Sequence, residues 1–160
     1  MPSPRASIQL LLFAAISLAG ACKKGPPGGD ITTSLALPTT ADAAFDPGTL
    51  KGKPTLVVFA SPTCGHCFKE LPVAQTAAAA EDANVVAVFV VGSKEQAASM
   101  ASRAKYTATA LVDPSGAVRS KYDINAVPYL LVLGPDGHAR GAFTGEQDEA
   151  TLRTALASAR

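Results

Sequence analysis

The chain has 160 residues, 48% of them hydrophobic, with 14 basic and 13 acidic residues and a net charge of +1. That length suits one domain of ordinary size with a proper core. So even a charge balance argues against nucleic acid as a partner and against a broad electrostatic grip on a membrane, and three cysteines are too few for a disulfide scaffold.

Residues 1–21 have the layout of an export signal. Arg5 and the amino terminus supply positive charge, Ile8 to Leu18 is largely apolar, and Ala19-Gly20-Ala21 are small. The apolar run is short of the roughly 20 residues that span a membrane. One reading is an ordinary cleaved signal with Cys22 incidental. The other is that the stretch resembles a bacterial lipoprotein signal, with Cys22 as the lipidated first residue of the mature protein, although Ala19 stands where that pattern usually has Leu. A lipid anchor of two or three chains holds stably, each buried CH₂ contributing about 0.8 kcal/mol. Residues 22–30 then form a lipid-anchored flexible tether, because Lys23-Lys24-Gly25-Pro26-Pro27-Gly28-Gly29-Asp30 offers nothing to a core. The expected layout is an anchored domain, residues 31–160, facing the periplasm or another extracytoplasmic space of a bacterial envelope, where a cysteine pair can persist oxidised.

Within that domain a short strand is expected at Ile31–Leu37 and a turn at Asp46-Pro47-Gly48. Thr55–Ala60 is apolar without alternation, as in a central strand covered on both faces. A helix follows from Cys64, with Pro72 inside it as a source of a kink. Asn84–Val91 reads as a second strand ended by Gly92, Lys94–Lys105 as a helix, and Ala110–Val112 as a short strand. Ala117–Tyr122 suits one or two helical turns. Tyr129–Leu133 and Ala139–Phe143 read as strands joined by a hairpin at Gly134–Gly137, and Glu146–Ala159 as a closing helix. Strands alternating with helices, then a hairpin and a last helix, indicate an α/β sandwich on a mixed sheet.

Cys64-Gly65-His66-Cys67 carries the chemistry. Two thiols at this spacing can close a small disulfide ring, and the first stands where a helix begins. There, free backbone N–H groups and the helix dipole favour its thiolate, the form that attacks disulfides. Exchange would run in two steps: Cys64, nearer the helix end and solvent, forms a mixed disulfide with a partner, and Cys67 resolves it. The other readings are a structural disulfide or half of a zinc site, for which four ligands are needed. His66, between the cysteines, is either an idle surface residue or an imidazole that stabilises the Cys64 thiolate. His138, just after the hairpin turn, is expected to be exposed, and Lys53, Lys69 and Tyr129 belong to a solvated rim.

The order of strand, Cys-x-x-Cys, helix, then Asn125-Ala126-Val127-Pro128, hairpin and helix resembles the thioredoxin superfamily over roughly residues 50–158. An added helix and strand at about 94–112, with Lys51-Gly52-Lys53-Pro54 and Glu70-Leu71-Pro72, is similar to its exported TlpA-like branch. The resemblance implies a thioredoxin-like fold, a central mixed sheet flanked by helices with that helix–strand insertion. It also implies that Pro128 is cis and contacts substrate, with the Val127 backbone pairing to an extended peptide, and that Glu70 modulates cysteine acidity. Two positions depart from the family: Thr63 replaces the common Trp, and Val58 replaces a buried acid of many thioredoxins. Implied partners are cysteine-containing exported proteins and an upstream membrane redox partner, with no cofactor. TlpA-like relatives often act as reductases, including in cytochrome c maturation, while Cys-Gly-His-Cys is also the arrangement of protein disulfide isomerases, so both directions stay open. Two other functions stand beside this one. A copper-handling module without turnover would use Cys64, Cys67 and His66 as soft ligands. A peroxiredoxin-like peroxidase would find Ser61 suitable three residues before Cys64, but not Val57 in place of a proline.

Overall fold

The computed structural model describes residues 28–160, so the expected leader at 1–21, Cys22 and most of the tether lie outside the described residues. The described part is a five-stranded mixed sheet with helices on both faces. In chain order its elements are β1 (Thr55–Ala60), α1 (Gly65–Ala80), β2 (Asn84–Phe89), α2 (Lys94–Arg103), β3 (Thr109–Val112), α3 (Ala117–Lys121), β4 (Tyr129–Leu133), β5 (Ala139–Thr144) and α4 (Glu149–Ser158). The sheet order is β3-β2-β1-β4-β5. Strand β1 pairs in parallel with β2 and antiparallel with β4, and all six of its residues are buried.

Successive strand residues point to opposite faces, so a strand covered on both sides is apolar on both, and the one polar side chain of β1, Thr55 at its start, donates to the Leu50 carbonyl. Leu56, Val58 and Ala60 enter one cluster with Leu71, Ala74 and Ala77 of α1, Ala97 and Met100 of α2, and Leu152 and Leu156 of α4. Val57 and Phe59 enter the other, with Ile31, Leu35, Leu50, Val118 and Ile124. The expected helix–strand insertion is α2 and β3, which extends the sheet by one parallel edge strand beside β2.

Three local expectations change. Ile31–Leu37 is not a strand: Thr32–Leu35 is a 3-10 turn. Asp30 Oδ1 accepts from the Thr32 N–H and hydroxyl and bends the chain, and fully buried Ile31 and Leu35 lie four apart, a spacing that a helical turn puts on one face. Asp46-Pro47-Gly48 likewise opens a 3-10 helix, Pro47–Leu50, with Asp46 accepting from the Gly48 N–H. The closing helix starts at Glu149 rather than Glu146, because Asp148 caps it by accepting from the Thr151 N–H at 2.7 Å. Residues 145–147 are thereby left as a turn. Helix α1 runs unbroken through Pro72, which leaves the Phe68 carbonyl without the donor that position 72 would otherwise supply.

One glycine is required by both backbone and space. Gly92 has φ +84°, and a Cβ there would lie 2.9 Å from a Pro62 ring carbon and 3.0 Å from Gln96 Oε1. Gln96 closes the capping box of α2 by accepting from the Ser93 N–H. Gly92 thus lets the β2–α2 turn pack against Pro62, two residues before Cys64. Gly92→Ala is expected to cost more than about 1 kcal/mol, since alanine fits neither the φ nor the gap. An unchanged urea midpoint would refute this account of the turn.

Candidate active site

The Cys-x-x-Cys sits where β1 hands over to α1. Cys64 is the N-cap of α1, with Sγ accepting from the Cys67 N–H at 3.1 Å, and no acidic residue lies in the first helical turn to oppose a negative charge there. Cys64 and Cys67 form a disulfide with Cα atoms 5.3 Å apart. Cys67 is fully buried against the core, while Cys64 is half-buried. Only one sulfur of the bond is therefore open to an incoming thiolate.

Strand register brings a distant segment to this point. Phe59 pairs with Tyr129, so the residues just before β4 lie beside the loop that follows β1. Here Val127–Pro128 is cis, and the Val127 carbonyl oxygen is 3.6 Å from Cys64 Sγ. In the reduced protein the Cys64 thiol can donate to that carbonyl. Pro128 is buried and Val127 half-buried. Ser61 and Thr63, which precede Cys64, share a hydroxyl–hydroxyl contact of 3.1 Å, and the Ser61 carbonyl accepts from the Cys64 N–H.

Glu70 lies one turn beyond Cys67 and is 1% exposed. Its Oε2 accepts from the Gln147 N–H at 2.9 Å, and its Oε1 has no hydrogen-bond partner among the described residues. Burial, and less strongly the nearby Glu146 charge, push its pKa up, against the opposing Gln147 hydrogen bond. Val58, at the position of a family acid, is fully buried among apolar residues, which leaves Glu70 as the buried carboxyl of this region.

His66 turns outward. Its side chain is 73% exposed, and Nδ1 is 2.5 Å from Glu146 Oε1, which also lies 3.7 Å from Lys69 Nζ. The structure therefore gives the imidazole a carboxylate partner that inspection of the sequence missed. Glu146 is 80 residues away in the chain, and nothing in its local pattern marks it. Gln147, the partner of Glu70, was missed for the same reason. His138 is exposed and 3.5 Å from Asp136, far from any role beside the cysteines.

Residues 42–160 match a family described as a thioredoxin-like domain. The methylamine utilization protein MauD of Methylorubrum extorquens is 30% identical over 119 residues, covering 72% of this chain and 57% of that protein. MauD of Methylobacillus flagellatus is 29% identical over 111 residues, covering 69% and 51%. The chain thus spans little more than half the length of these relatives. Among solved structures, a secreted Mycobacterium tuberculosis disulfide oxidoreductase homologous to Escherichia coli DsbE superposes with a TM-score of 0.71 at 24% identity, covering 81% of this chain and 99% of that one.

The raised pKa of Glu70 has a consequence for stability. The folded protein holds this proton to higher pH than the unfolded chain, so stability falls as pH rises from the ordinary Glu value of 4.5 through the raised one. Glu70→Gln is expected to flatten that slope, with urea midpoints falling less between about pH 4.5 and pH 7.5 than in the parent. Parallel slopes would show that the buried carboxyl is not the group responsible.

Proposed function

The chain belongs to the thioredoxin-like domain family, and from that premise we propose that it is a thiol–disulfide oxidoreductase acting on cysteines of exported proteins. The observation that carries this reading is the division of labour within one disulfide. Cys64 is accessible, caps a 16-residue helix and faces the Val127 carbonyl, whereas Cys67 is sealed beneath it.

In the reducing direction the Cys64 thiolate attacks one sulfur of a partner disulfide. That S–S bond breaks, a mixed disulfide forms, and one partner thiolate leaves and takes up a proton. Cys67, deprotonated, then attacks Cys64 Sγ, which expels the second partner thiolate and leaves the Cys64–Cys67 disulfide. Two electrons pass to the partner, and an upstream dithiol in the membrane must restore the reduced pair. The oxidising direction is the same path reversed. The exposed sulfur makes the first contact, and the buried one can act only within the protein.

The helix N-terminus and the Cys67 N–H favour the thiolate of Cys64. Glu70, buried with a free carboxylate oxygen and an upward-shifted pKa, is suited to hold the proton that the buried Cys67 must lose before it attacks. The peptide flanking the partner cysteine runs extended along Val127 and Pro128, with backbone hydrogen bonds as in strand addition.

Cys67→Ser is expected to accumulate mixed disulfides on Cys64, visible as ladders on non-reducing gels that collapse with dithiothreitol, whereas Cys64→Ser traps few. Equal trapping by the two variants would overturn the assignment of attacking and resolving sulfurs. Insulin reduction by the parent with dithiothreitol reads the turnover that a module merely holding copper lacks.

The site of action in this proposal is the extracytoplasmic face of a bacterial membrane, with Cys22 lipidated and residues 22–30 as a tether. The leader pattern of residues 1–21 supports it, and a structural relative is described as secreted. Native protein is expected to begin at Cys22 and to partition with detergent, and Cys22→Ser to release it or leave the signal uncut. Native protein found free in the soluble fraction and starting at another residue would refute the anchor.

A further inference from the structure

Three consecutive residues between β5 and α4 each hold a different part of the site. The Gly145 N–H donates to the Pro128 carbonyl at 2.8 Å, the Glu146 carboxylate holds His66 Nδ1 at 2.5 Å, and the Gln147 N–H donates to Glu70 Oε2 at 2.9 Å. The turn is braced internally, since Gln147 Nε2 donates to the carbonyls of Gly145 and Glu146. The middle contact is the one that carries charge. Hydrogen bonding to His66, then the charge of Lys69, hold the Glu146 carboxyl below its ordinary range.

We propose that Glu146 is a positioning residue of this active site: it holds the His66 imidazole to the turn after β5 and neutralises it there, withholding its positive charge from Cys64. This rests on the thiol–disulfide reading above. An imidazolium beside an N-cap sulfur stabilises the thiolate and with it the reduced pair, which makes the disulfide the stronger oxidant. An imidazolium already paired with a carboxylate offers the sulfur little net charge. Glu146 thereby pulls the protein away from the oxidising character that Cys-Gly-His-Cys alone suggests, and toward the reducing side. The other charged groups of the neighbourhood are Lys69 on the same helix, buried Glu70 behind the turn, and Asp148 and Glu149 at the start of α4. Lys69 shares the same carboxylate oxygen, and Asp148 is committed to the α4 cap.

The test is a double-mutant cycle on the full chain, with Glu146→Gln, His66→Asn and the double variant. Each is read by the thiolate absorbance of Cys64 and by equilibrium with glutathione, at about pH 5.5 and pH 8, either side of the ordinary imidazole titration. Gln keeps an acceptor for the ring and removes the charge. At the lower pH, Glu146→Gln is expected to raise the thiolate absorbance of Cys64 and to move the glutathione equilibrium toward the dithiol by roughly two- to fivefold, the range of an exposed ion pair. In the His66→Asn background the same substitution should shift neither, and at the higher pH the coupling should vanish. An equal shift in both backgrounds, or none in either, would overturn the proposal, because the carboxylate would then act alone or not at all. Failure of the parent to equilibrate with glutathione would instead defeat the oxidoreductase reading itself. Urea midpoints of the four proteins identify any variant whose shift comes from unfolding.

Discussion

The burial of β1 on both faces is the constraint from which the rest of the molecule follows. A strand whose side chains are all buried must lie mid-sheet, with helices above and below, and β1 is the third of five strands. Its C-terminal end then opens where the neighbouring strands run in opposite senses, parallel β2 on one side and antiparallel β4 on the other. Crevices in α/β sheets form outside such strand ends, at the point where the topology changes direction. The cysteine loop leaves from that end, and the antiparallel register delivers Val127 and Pro128 to the same place. The Cys64–Val127 contact is therefore a consequence of strand pairing.

The same geometry explains why the two sulfurs differ although they are three residues apart. Helix α1 begins directly above the end of β1, so its N-cap position faces outward and its first inward position faces the core. Cys64 takes the first and Cys67 the second. A chain that hid both would have no entry for a partner, and one that exposed both would let a partner attack either. The helix N-terminus adds free N–H groups beside the exposed sulfur only, which separates the two thiols electrostatically as well as sterically.

Charge around this pair is arranged in two layers. Inside, Glu70 is buried with one oxygen unpartnered among the described residues, a costly placement for a carboxyl. Outside, His66 and Lys69 converge on Glu146 at the surface. The turn at 145–147 touches both layers and the loop that carries Pro128, so the site behaves as one assembly contributed by three stretches of chain. His66, Lys69 and Glu146 meet as partners, so altering one changes the surroundings of the others.

Much of this is legible in the sequence. The apolar run 55–60, the Cys-x-x-Cys at a helix start and the hairpin around 134–137 are local patterns, and local sterics and hydrogen bonding decide them. So do the edges of β4, where Tyr129–Leu133 is found as read. The misreadings were also local in cause, since the side chains of Asp30, Asp46 and Asp148 bond to nearby backbone and redirect it, competition that hydrophobic periodicity does not register. The partners of His66 and Glu70 lie 80 and 77 residues away, and only tertiary structure decided them. The sequence by itself determined where the cysteine pair lies and which local elements hold it, because spacing and burial pattern are properties of short stretches. The folded chain alone decided what faces them, because strand register and helix packing bring residues together without leaving a mark on either partner's neighbourhood in the sequence.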